Sequence, residues 1–127
     1  MSPYPDQPPL LAVLLGPLHM RFRAARAAYA SYLDQGRIFL FARSLRRINF
    51  STRKLLLDRG WMLPEELREH ALALIAHYDV WLTLWDDLAE RTSPLPSDPF
   101  VFENSFTYPR EAEAALERLF AESSGSA

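Results

Sequence analysis

The sequence predicts an all-α fold: a compact bundle of about four helices, with a proline-rich N-terminal arm and an extended aromatic strap before the last helix. Three observations carry this reading. Apolar residues recur at three- and four-residue steps through most of the chain. The stretches with that period are separated by Gly36, Gly60 and a linker containing Pro94, Pro96 and Pro99. Period-two alternation occurs over residues 100–108 and is too short for an independent sheet.

The elements follow in chain order. Residues 1–9 hold four prolines and are expected as an extended arm, because proline supplies no amide donor and disfavours helix before it. The apolar residues 10–15 are expected to make a short helical turn that stops at Gly16 and Pro17. A first long helix then spans residues 17–35, with proline at its start and Gly36 at its end. Phe22, Ala25, Tyr29, Tyr32 and Leu33 form its inward stripe. A second helix covers residues 37–58. Its apolar face reads Ile38, Phe41, Leu45, Ile48 and Leu55, with Thr52 in the same column.

The third helix begins at Pro64, where Glu65 and Glu66 suit the positive end of the helix dipole, and runs to about residue 91. Leu67, Ala71, Leu74, Ile75, Tyr78, Leu82 and Trp85 make one stripe, which His70, His77, Trp81, Leu84 and Leu88 widen. So broad an apolar surface places this helix centrally. Phe100, Phe102, Phe106 and Tyr108 then alternate along the strap, read as a single extended segment in preference to a hairpin. Pro109 opens a fourth helix to about residue 122, with Ala112, Ala115, Leu116, Leu119 and Phe120 facing in, and residues 123–127 form a loose tail. The 127 residues make one domain.

Charge is divided unevenly. Residues 1–60 carry ten Lys/Arg and three acids, and residues 61–127 carry four arginines and thirteen acids, giving +7 and −9. On the helices, Arg43, Arg46, Arg47, Arg53 and Lys54 share the outer arc of helix two, with Phe39 and Phe50 among them. Asp79, Asp86, Asp87 and Glu90 share an arc of helix three. The apolar faces of the two helices are expected to meet and their charged arcs to point apart.

Several chemistries are excluded or weakened. No cysteine is present, which removes disulfides, thiolate catalysis and Cys-based metal sites and fits the cytoplasm. The four glycines are isolated, so no glycine-rich phosphate loop exists, and no serine sits in a Gly-x-Ser-x-Gly elbow. His70 and His77 are seven residues apart, about 10 Å along a helix axis, too far to share one ion within that helix. They are expected as partly buried, hydrogen-bonded histidines. No cofactor or metal, membrane span or targeting signal is expected. Thirteen arginines against one lysine point to a GC-rich, bacterial coding sequence.

The resulting functional expectation is a non-catalytic interaction or regulatory accessory subunit that docks on a protein partner, on a second copy of itself, or both. The candidate contact residues are Phe39, Arg43, Arg46, Arg47, Phe50, Arg53 and Lys54 on helix two, with Phe100, Phe102 and Phe106 on the strap. Arginine and exposed aromatics are the residues that protein interfaces enrich. The alternative is a nucleic-acid-binding accessory factor using the same basic arc, against which stands a pI of about 5.9. A small enzyme or ligand-binding bundle centred on His70, His77 and Tyr78 is the third reading.

Overall fold

The computed structural model describes residues 9–125, in which four α-helices are present: α1 Gly16–Asp34, α2 Phe39–Arg59, α3 Glu65–Thr92 and α4 Arg110–Ser123. All of the expected arm except Pro9, and the last two residues of the expected tail, lie outside the described residues.

The expected stop at Gly16 and Pro17 does not occur. Leu11–Leu15 form a wider, π-type turn that runs directly into α1. A proline inside a helix lacks its N–H and crowds the carbonyl four residues back. Widening the preceding turn absorbs that defect, and the Gly16 N–H donates to the Leu11 carbonyl five residues back. Glycine also suits this point sterically, because a Cβ on Gly16 would sit tightly, 3.0 Å from the Leu11 oxygen.

Helix α1 packs on α2, α2 on α3, and α3 on α4. The main core joins Leu14, Leu18 and Phe22 to Leu56, Leu74 and Leu116, all 2% exposed or less. On α3 the expected stripe is buried from Ala71 through Trp85. On α2 the inward face is rotated from the expected one. Ala42, Leu45, Asn49, Thr52 and Leu56 are buried, while Phe41, Ile48 and Leu55 are only half-buried. The cause is position: α2 lies between α1 and α3, so its centre line faces the space between them rather than a single neighbour. That column is polar at Asn49 and Thr52, and the Thr52 hydroxyl is satisfied by donating to the Ile48 carbonyl at 2.8 Å.

The fourth helix is short. Its 14 residues span about 21 Å, against about 42 Å for the 28 residues of α3. It therefore closes only one end of the bundle, where Glu117 bonds His19 at 2.7 Å and Glu113 pairs with Arg26, both across to α1. Over the other end runs residues 93–109, which contain no helix and make one isolated antiparallel bridge, Pro99 to Ile38. This segment is tied to the start of α2. The Phe39 and Leu40 amides, which the helix leaves without partners, donate to the Asp98 and Pro96 carbonyls at 2.8 and 2.9 Å. The Phe100 amide donates to the Arg37 carbonyl at 2.9 Å, and the Tyr32 hydroxyl donates to the Phe100 carbonyl. These bonds aim Phe100 into a second core cluster with Ala42 and Trp85, flanked by Phe39.

Candidate functional site

The charged arcs of α2 and α3 do not point apart along their whole length. Arg46 makes a two-point pair with Asp86 at 2.7 and 3.0 Å, and Arg53 pairs with Asp79. The rotation of α2 described above brings these two arginines to the α2–α3 seam, which corrects the expectation. Lys54 bonds Asp58 on its own helix at 3.1 Å. Three of the five cations are thus engaged within the chain. Asp86 raises the affinity of the Arg46 guanidinium for its proton above the ordinary arginine value, chiefly through the hydrogen bond. Half-exposed pairs of this kind contribute about 1 kcal/mol or less each.

The remaining two, Arg43 and Arg47, are exposed and have no carboxylate partner among the described residues. Together with Arg46, Phe50, Trp85 and Asp86 they line a shallow dish of about 480 Å³. The Arg43 guanidinium lies 5.3 Å from the Phe39 ring centre, and that of Arg46 lies between Phe50 and Trp85, at 5.7 and 5.4 Å. Phe50 is 47% exposed. Of the other aromatic candidates, Phe100 is buried and Phe39 and Phe102 are half-buried against Trp85 and Trp81, so these three are packing residues first. Phe106 is exposed, with its ring 6.0 Å from that of His77.

A second concavity lies where α4 falls short. It is a groove of about 930 Å³ with α2 as its floor, α1 and α3 as its walls and the strap along its mouth. Ala25 and Tyr29 line it from α1, Asn49 from α2, and His77 and Trp81 from α3. At the α4 end a polar chain runs from Arg26 to Glu113 and on to Tyr108, whose hydroxyl donates to Glu113 at 2.6 Å and interacts with that of Tyr78. Burial pushes the Tyr78 hydroxyl up to about 12 and raises Tyr108 as well, the latter helped by Tyr78 and Glu113. Both stay protonated at neutral pH.

His77 is a buried histidine whose ring hydrogen-bonds the Phe106 backbone, as expected in kind, but only one of its two nitrogens is satisfied. Its side chain is buried at 7% exposure, and Nδ1 has no hydrogen-bond partner. Its ring contacts are aromatic: Tyr78, Phe106 and Tyr108, with centres 5.5, 6.0 and 4.9 Å away. Burial lowers its pKa below the ordinary histidine value, opposed by a smaller effect of the Phe106 backbone. Sequence reasoning missed this groove because it depends on the relative lengths of α3 and α4 and on the path of the strap. Among the described residues no three His, Asp or Glu side chains gather as a metal site would need, and no helix is long and apolar enough to cross a membrane.

These features define a small all-α bundle with one basic, aromatic surface dish and one aromatic groove. Compared with known proteins, the chain matches no family model, no curated sequence and no solved structure.

Proposed function

We propose that the protein is a non-catalytic accessory subunit that binds an acidic segment of a protein partner through the Arg43–Arg47–Phe50 dish on α2. The observation that carries the reading is the pair of unpaired guanidinium groups beside a half-exposed phenylalanine, on a face whose other cations are already neutralised. Arginine forks match carboxylates in two-point geometry, and an aromatic anchor supplies apolar area without a second charge. The nucleic-acid alternative is disfavoured by the same census. Two free cations, with Asp86 in the dish itself, offer few phosphate contacts, and affinity for nucleic acid grows with their number. A second copy is the competing occupant, since the acidic arc of α3 offers complementary charge. Such a contact joins unlike surfaces and extends into open chains unless it closes a ring. A bacterial, cytoplasmic setting belongs to this proposal and rests on composition: arginine over lysine, and no cysteine.

The test compares the wild-type chain with the Arg43→Glu/Arg47→Glu double variant, both used to capture proteins from the native host, with the captured partner then purified and titrated against each. The expected result is one partner that binds the wild-type protein and loses at least about tenfold in affinity to the variant. Equal affinity for both proteins sinks the proposal. Light scattering on the purified chain reports whether the second copy takes the partner's place.

A further inference from the structure

The groove between α1 and α3 is not used by the proposed docking surface, and it carries its own argument. Its volume, about 930 Å³, lies at the upper end of the range for small-molecule sites. Its walls are aromatic, with Tyr29, Trp81 and Phe102 facing the same space.

The charges around the groove specify the sign of an occupant. Arg26, Arg37, Arg110 and Glu113 line it. Glu113 is satisfied by Arg26 and Tyr108. Arg37 and Arg110 have no carboxylate partner among the described residues. Arg37 also holds a left-handed backbone conformation, φ 56°, which residues with a Cβ rarely adopt. Two hydrogen bonds fix it there: its amide donates to the Tyr32 carbonyl at 2.8 Å, and its carbonyl accepts from Phe100 at 2.9 Å. Both partners belong to the groove, so the geometry that places Phe100 also sets this arginine at the rim. Strained residues held by their surroundings concentrate at binding sites.

We propose that this groove is a binding site for a small planar aromatic acid, with its rings between the aromatic walls and its anionic group at the rim, where Arg37 and Arg110 are the lining cations without a carboxylate partner. The site is separate from the α2 dish, and neither proposal depends on the other.

The experiment titrates the full chain with 2-naphthoate, followed by tryptophan fluorescence and calorimetry, with the uncharged 2-naphthamide as the matched control. The expected result is saturable binding of one naphthoate per chain, at least about tenfold tighter than the amide. The Arg37→Gln/Arg110→Gln variant, altered only at exposed positions, is expected to bind naphthoate no better than the amide while melting like the wild type. Ala25→Phe, which fills the groove from α1, is expected to abolish binding of both. The proposal is overturned by absence of saturation at millimolar naphthoate, by equal affinity for acid and amide, or by full affinity in the double-arginine variant. Tighter binding of octanoate than of naphthoate overturns the planar aromatic assignment.

Discussion

Replacing Phe100 by alanine tests how the strap is held. The side chain is 1% exposed and touches three rings, with centres at 4.8 Å for Trp85, 5.1 Å for Phe39 and 6.2 Å for Phe102. Burying a phenylalanine contributes about 1.5–3 kcal/mol by transfer alone. The space left by truncation raises the usual loss to about 3–5 kcal/mol. Domains of this size are stable by about 5–15 kcal/mol, so the variant gives up a large fraction of the total. The backbone bonds of Phe100 with Arg37 and Tyr32 persist only if the strap stays seated. If it peels away instead, the loss is limited to the free energy of seating it, and the tryptophans lining the groove become more exposed. Denaturant unfolding of Phe100→Ala and of Phe106→Ala measures both costs. Phe106 is 42% exposed, so its truncation is expected to cost about 1 kcal/mol or less. Equal costs at the two positions, or a Phe100 loss below about 1 kcal/mol, would refute the claim that Phe100 anchors the strap.

Further outcomes follow from single positions. Gly16→Ala normally gains up to about 1 kcal/mol in a helix, but its Cβ would crowd the Leu11 oxygen at 3.0 Å, so thermal unfolding is expected to show no gain or a loss. Ser93 ends α3 with φ 44°, and Ser93→Gly is expected to stabilise by about 0.5–1 kcal/mol, read as a raised melting point. The folded-state pKa of His77 is depressed by burial, so the unfolded chain takes up its proton first as pH falls. The contribution of His77 is therefore undiminished above its unfolded pKa of about 6.5 and declines below it, towards the lower folded value. His77→Phe is expected to flatten that part of the stability–pH curve, and an unchanged slope contradicts the burial argument.

Much of the helical framework was legible because its signals are local. Gly36, Gly60 and Pro64 mark helix ends within the chain itself, and the α3 stripe from Ala71 to Trp85 repeats often enough to fix its buried side. The errors arose where local rules compete with packing. The stop expected at Pro17 fails because a π-type turn that absorbs a proline has no distinct sequence signal. The expected face of α2 lies one column from the buried one, since Ile38, Phe41 and Ile48 are the more apolar residues but Ala42 and Asn49 face the neighbours. That displacement hid the pairing of Arg46 and Arg53 with α3 and left five apparent free cations where two are free. The groove was legible in pieces, as surplus aromatics and a histidine, but its walls come from segments distant in the chain.

The most direct measurement of the proposed function is a charge exchange across the interface. Once the partner's acidic segment is mapped by cross-linking from position 50, its carboxylates are changed to lysine and titrated against the Arg43→Glu/Arg47→Glu variant. Each one-sided reversal is expected to weaken binding, and the exchanged pair to recover most of the lost affinity. An exchanged pair no tighter than the one-sided reversals would contradict the proposed function.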